Sequence, residues 1–393
     1  MIYLDNNATT PIDPEVLDAM LPYLKEEYGN PSSRYYTLAQ NAEKAVENAR
    51  ENVASLINAN PNEIIFTSGA TESNNFIIKG VADYQKYYSE QGNHIITSTV
   101  EHKSIIQTCE YLSGNIFYNR NSNTATTRYL KPKVDNKKID RGYEVTFLPV
   151  NQYGQVNIKD FRNNIKVNTI LSSFIWGNNE IGSLNNIKEL ADLAHSNNVL
   201  FHSDATQVMG RININCKNVA VDFLSFSAHK LYGPKGVGAA FIRQGSLPYK
   251  ITSLLHGGKQ EFGYRAGTSA VHNIVGFGKC CEIARRDFEK ITKHLSLLEE
   301  QAKKDLKSRH PEITFLGDPI QHVPGVVSVM IPGIINELLI KQLSDTIAIS
   351  SGSACGIGEP SYVIKEIGLE SKSSNFIRLS FNKYNDSSFK AEF

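Results

Sequence analysis

The sequence predicts an α/β protein whose larger part is a mostly parallel sheet and whose smaller part is an α+β C-terminal unit. Three observations carry this. From about Glu63 to Arg243, short β-rich runs alternate with helix-like stretches. Polar, turn-rich clusters follow the strand candidates. Around Leu247 to Gly263 the pattern breaks at Pro248, Gly257, Gly258 and Gly263, and a different organisation begins.

In chain order, Ile64-Ile65-Phe66 is a strand candidate followed by a helical pattern through Lys79. His94-Ile95-Ile96 leads into a second helix through Leu112. Further strand candidates are Glu144 to Val150, Thr169 to Ile175, Val199 to His202, Asp222 to Phe226 and Ala239 to Ile242. Ile187 to Ser196 reads as an amphipathic helix between two of them. After the break, Val271 to Lys307 reads as one long charged helix and Val326 to Ile331 as a strand. The expected division is residues 14–250 as the large domain and 1–13 with 251–393 as the small one. Asn119 to Arg141 is polar, aperiodic and basic, and is expected to be an exposed loop.

Composition narrows the function classes. Hydrophobic residues are 41% and charged residues 21% of 393, ordinary for a globular protein. Lys plus Arg number 41 against 40 Asp plus Glu, which predicts no general affinity for nucleic acid. Neither a signal peptide nor a run long enough to span a bilayer is visible. The five cysteines lack CxxC spacing, which argues against a disulfide framework and against a zinc site; no metal is expected, and a reducing cytoplasm fits best.

In open α/β sheets, ligands bind beyond the carboxyl ends of the strands. Four polar clusters, Ser68 to Thr71, Gly177 to Asn179, Ser203 to Ala205 and Ser227 to Lys230, are expected at that edge, so one shared pocket is expected there. Ser227-Ala228-His229-Lys230 places an amine just past a strand, suited to condense with an aldehyde if its pKa is lowered. Asp204 follows another strand and either pairs with a protonated ring nitrogen or caps a helix. Gly69-Ala70-Thr71 stands between strand and helix, where free amides hold a phosphate or Thr71 serves as a cap. His102 is placed to stack on a planar group or shuttle protons. Cys355 lies in a Gly- and Ser-rich stretch, where an exposed thiol is reactive, whereas Cys109, Cys280 and Cys281 lie in helical, partly apolar patterns and read as packing residues. Arg378, in an alternating strand, suits either a carboxylate ligand or a structural ion pair.

These residues, in this order, resemble the cysteine desulfurases of the NifS/IscS-like family, within the class V aminotransferases of pyridoxal-phosphate (PLP) fold type I, which are aspartate aminotransferase-like. The resemblance runs from Tyr3 to about Phe381. It includes Tyr3 to Thr10, Gly29-Asn30-Pro31-Ser32-Ser33, Gly69 to Asn75, Asn178-Asn179-Glu180-Ile181-Gly182 and Tyr264-Arg265-Ala266-Gly267-Thr268.

The resemblance implies an enzyme that converts L-cysteine to L-alanine and carries the sulfur as a persulfide on Cys355. Lys230 would carry pyridoxal 5'-phosphate, Asp204 would pair with its ring nitrogen, Gln207 would contact its hydroxyl, and His102 would stack on it. Ala70, Thr71, Ser227 and His229 would hold the phosphate, with Thr268 reaching across from a second copy, which implies a homodimer. Asn179 and Arg378 would position the substrate carboxylate. A sulfur-acceptor protein is implied, with iron–sulfur assembly, tRNA thiolation and DNA phosphorothioation all open as destinations. A selenocysteine or cysteine lyase on the same fold, or a non-catalytic sulfur-relay adaptor, are the competing readings.

The sequence also departs from the family. Tyr35 or Tyr36 and Ala39 stand where a His and a Gly are usual, Asn119 to Arg141 resembles an insertion, the stretch after Cys355 is short, and the usual long C-terminal helix is not apparent after Phe381.

Overall fold

The computed structural model describes residues 1–33, 35–115, 139–244, 251–352 and 361–386. The central sheet has seven strands: β2 (Ile64–Thr67), β3 (His94–Ser98), β4 (Glu144–Leu148), β5 (Thr169–Ile175), β6 (Leu200–Asp204), β7 (Phe223–Ser227) and β8 (Gly238–Ile242). It follows β1 (Ile2–Tyr3) in the chain, and its strand order is β2-β8-β7-β6-β5-β3-β4. Only β8 runs against the others, antiparallel to both β2 and β7. A parallel return needs a crossover of a dozen or more residues, usually helical. The 228–237 connection holds only the short turn Ala228–Lys230, so the chain doubles back instead.

Five of these strands are wholly buried, as strands covered on both faces must be. Helices α1 (Pro14–Lys25), α2 (Thr37–Leu56), α3 (Ala70–Tyr87), α4 (Lys103–Leu112), α5 (Ile158–Asn164) and α6 (Ile187–Ser196) belong with the sheet. The α1 helix shows why such segments start where they do: Pro14 occupies its first position and Asp13 accepts from the Glu15 amide.

The long helix expected over Val271 to Lys307 is two, α7 (Val271–Arg286) and α8 (Phe288–Arg309), separated at Asp287. Asp287 has left helical geometry (φ −105°, ψ 15°), and its carboxylate takes the neighbouring Arg286 guanidinium. Helix α7 packs on α1 and α2 within the large core, whereas Leu295, Leu298, Ala302 and Leu306 of α8 enter a separate core. That second core includes the antiparallel sheet of β9 (Thr314–Phe315), β10 (Val326–Met330) and β12 (Phe376–Ser380), in the order β12-β10-β9. Helices α9 (Asn336–Leu343) and α10 (Tyr362–Glu366) complete this part. The two-domain division stands as our proposal, and the packing of α7 favours a boundary at Asp287 over one near residue 250.

The N-terminal segment ties the two parts together. Strand β1 pairs in parallel with β11 (Ile347–Ala348), and Asp5 bridges to Ser380. Of the departures noted in the sequence, Tyr35 is fully out in solvent and Tyr36 is exposed, while Ala39 is buried inside α2. Of the basic stretch 119–141, residues 119–138 lie outside the described residues, and Arg141 rests 3.8 Å from the Tyr111 ring centroid. No described helix is long and apolar enough to cross a membrane.

Candidate active site

The carboxyl ends of β2, β3, β5, β6 and β7 open on one cavity of about 480 Å³. Because β8 is reversed, the turn that enters it, Lys235-Gly236, reaches the same edge and joins the lining. Ten of the predicted residues meet there: Ala70, Thr71, His102, Asn179, Asp204, Gln207, Ser227, His229, Lys230 and Arg378. Thr268 is exposed and stands outside this lining. Cys355 lies outside the described residues.

Lys230 follows β7 in a short 3-10 turn, and its Nζ donates to the carbonyls of Asn7 and, at 2.6 Å, Ala8. Burial, reinforced by the Arg378 and Arg211 guanidiniums, pulls its pKa down to about 7. An amine near half-neutral at physiological pH is a competent nucleophile.

Asp204 ends β6, buried, with Oδ1 accepting the Thr206 amide at 3.0 Å and Oδ2 the Asn74 side chain at 2.9 Å. His102 caps α4, and its Nδ1 accepts the Ser104 amide at 3.2 Å. Burial lowers the His102 pKa, so the ring is neutral. His229 is likewise driven to about 4 by burial and by Lys230, and contacts Thr9.

Arg378, on β12, is almost fully buried. Nη1 donates to the Asn179 carbonyl at 2.7 Å and Nη2 to Asp5 at 2.6 Å. Among the described residues, Arg378 Nε, Gln207 Oε1 and Asn179 Oδ1 are buried without a hydrogen-bond partner. Unsatisfied groups of this kind at a cavity wall suit a polar ligand.

At the mouth of α3, Gly69 adopts φ +153°, closed to ordinary side chains. Its turn also needs Gly238 across the sheet, where a Cβ would stand 2.6 Å from the Gly69 Cα. The cavity therefore joins a free amine, a buried carboxylate, a neutral imidazole, a guanidinium and a helix N-terminus. Among the described residues, no group of His, Cys, Asp and Glu side chains suits a metal ion.

Sequence reasoning gave no role to the backbone carbonyls of Asn7 and Ala8, or to Asn74 and Lys235. Backbone acceptors carry no residue signature, and Asn74 lies within a helix whose apolar pattern dominates.

Residues 2–119 and 134–388 match the family described as Aminotransferase class-V. The chain belongs to the class-V aminotransferase family. The unmatched stretch between falls within the basic insertion. This class-V chain is 41% identical over 386 residues to a protein of Plasmodium falciparum named Cysteine desulfurase IscS, covering 97% of this chain and 65% of the relative's length. A solved structure titled NifS-like protein superposes with a TM-score of 0.84 at 33% identity, covering 98% of this chain and 94% of that one. Another, titled SspA in complex with cysteine, gives a TM-score of 0.77 at 30% identity, with 98% and 100% covered. The class-V architecture, α/β with a mostly parallel central sheet, is thus common to this chain and to its solved neighbours.

Proposed function

We propose that the chain is a PLP-dependent cysteine desulfurase that converts L-cysteine to L-alanine and carries the sulfur as a persulfide on Cys355. The observation that carries this reading is the buried, pKa-lowered amine of Lys230 in a cavity with Asp204, His102 and Arg378. The family membership, the desulfurase relatives and a cysteine-bound structural neighbour support it.

The residues present fit the cofactor. A neutral Lys230 matches its aldehyde, buried Asp204 its ring nitrogen, and the unpartnered Gln207 Oε1 its ring hydroxyl. Ala70 and Thr71 at the start of α3, with Ser227 and His229, would hold the phosphate. When bound, the cofactor supplies an aldehyde for the substrate amine and an electron-poor ring that accepts electrons released at Cα.

The rest falls to the protein. Lys230 removes the Cα proton, for which an amine with a pKa of about 7 is well matched at neutral pH. His102 holds a proton on Nε2. Arg378 orients the substrate carboxylate with Asn179: five guanidinium N–H groups are available and two are engaged. Cys355 receives the sulfur. Cys109, Cys216, Cys280 and Cys281 are all buried, and burial raises the thiol pKa of Cys109, Cys216 and Cys281, which leaves them poor carriers. Thr268 completes the phosphate site from a second copy, so the working unit is a homodimer. The enzyme acts in the cytoplasm and passes sulfur to an acceptor protein.

Purified protein should be yellow and release alanine and sulfide in equal amounts from cysteine with a reductant. Cys355→Ser should keep the colour and lose persulfide formation, and Lys230→Ala should lose turnover. Sulfide release from Cys355→Ser at the wild-type rate would sink the transfer step, and the lyase reading would take its place.

A further inference from the structure

Asn74, one turn into α3, is completely buried, and none of the roles above falls to it. Its amide nitrogen donates in two directions, to Asp204 Oδ2 at 2.9 Å and to Ser104 Oγ at 2.8 Å. A carboxamide has two N–H hydrogens, so both are engaged. Ser104 Oγ accepts from Asn74 and lies 2.7 Å from His102 Nδ1.

The direction of that last bond follows from a second contact. The Ser104 backbone N–H also points at His102 Nδ1, at 3.2 Å. An N–H needs a lone pair, so Nδ1 carries no hydrogen, the Ser104 hydroxyl must donate to it, and the proton of the neutral ring sits on Nε2. The sequence of donors is therefore fixed: Asn74 gives one hydrogen to Asp204 and one to Ser104, and Ser104 gives its own to His102.

We propose that Asn74 is a positioning residue that couples Asp204 to His102 through Ser104, so that the carboxylate and the imidazole are held as one unit in a single protonation arrangement. Its catalytic meaning rests on the desulfurase reading above; the network itself belongs to the protein without its cofactor. Hydrogen bonds in such a chain polarise one another, so a change at Asp204 is felt at His102. The charged groups acting on His102 are Asp204, which favours its protonated form, and Lys230 and Lys103, which oppose it.

A residue that merely filled space would not set the state of a histidine it does not touch. The test reads that state directly, by NMR of the full-length apoprotein with ¹⁵N-labelled histidine across pH 5 to 9. Wild type should show His102 as the Nε2–H tautomer. Ser104→Ala should raise the His102 titration midpoint by about half a pH unit, because the neutral ring loses a donated hydrogen bond. Asn74→Leu, close in volume, should move the His102 Nδ1 resonance, and made in a Ser104→Ala background it should change little more. An unmoved His102 in Ser104→Ala overturns the proposal, as does an unmoved His102 in Asn74→Leu. Should Asn74→Leu fail to fold, Asn74→Ala is read by the same criterion.

In cofactor-loaded protein, Asn74→Leu should shift the pH midpoint of the cofactor's visible absorbance. Wild-type protein that takes up no PLP would remove the desulfurase reading and leave the apoprotein result to decide the network.

Discussion

Arg378 is anchored by Asp5: the guanidinium, 1% exposed, donates to a carboxylate from the far end of the chain at 2.6 Å. The pair fixes the arginine plane before any substrate arrives. Among the described residues, removing Asp5 leaves this buried cation with the Asn179 carbonyl as the remaining partner of its side chain. Asp5→Ala should therefore lose about 3 kcal/mol of stability in urea titrations. Arg378→Lys should raise the KM for L-cysteine roughly ten- to hundredfold, the equivalent of one charge-assisted hydrogen bond of about 1.5–3 kcal/mol.

Lys230 gives the apoprotein a signature in pH. Its folded-state pKa, about 7, lies below the unfolded value of 10.5. Between these values the unfolded chain binds a proton that the folded chain does not, so stability from this group rises as pH climbs from about 7 and levels off above the unfolded pKa. Lys230→Met should flatten that rise in chemical denaturation series. PLP uptake, followed by absorbance, should slow below about pH 7 as the amine becomes charged.

Glu101 works in the opposite sense. It is fully buried beside Ser98, and burial pushes its pKa up to about 8. The folded chain keeps a proton that the unfolded chain loses above its own pKa of 4.5, so stability from this group falls as pH rises from 4.5 to about 8. Glu101→Gln mimics the protonated acid and should match wild type near pH 4.5, then be the more stable of the two at pH 8. Equal melting curves across that window would exclude a protonated Glu101.

Gly238 sets how closely β8 approaches the first turn of the site. A Cβ there would stand 2.5 Å from the Phe226 carbonyl and 2.6 Å from the Gly69 Cα, both backbone and unable to swing aside. Gly238→Ala should cost about 1–3 kcal/mol. It should also weaken PLP binding through displacement of Gly69, measured as a raised dissociation constant with the catalytic residues intact.

The sheet was legible because its strands are compact apolar runs such as Thr169 to Ile175, each closed by polar turn residues. The reversal of β8 was not read, because strand direction depends on the length of the preceding connection and not on the strand's own pattern. The break at Asp287 was missed for want of Gly or Pro, the usual signals, although Asp is a poor residue for a helix interior. Lys230, Asp204, His102 and Arg378 could be picked out because their side chains differ chemically from their surroundings. The carbonyls of Asn7 and Ala8 that lodge Lys230, and the Asn74 link, are products of tertiary placement. Nothing in their local sequence announces them.

The seating of residues 5–8 has a consequence for biosynthesis. Asn7 donates its amide to Ser380, a partner 373 residues further along the chain. At about 5–20 residues per second, a ribosome needs roughly 20–75 s to cover that interval. Late in that interval Lys230 and the whole seven-stranded sheet have been made, and the Asn7 side chain can already meet Asn179 and Arg211, but its backbone amide still lacks its partner. The seat of Lys230 is thus begun by contacts within the large part and completed only when translation has passed Ser380.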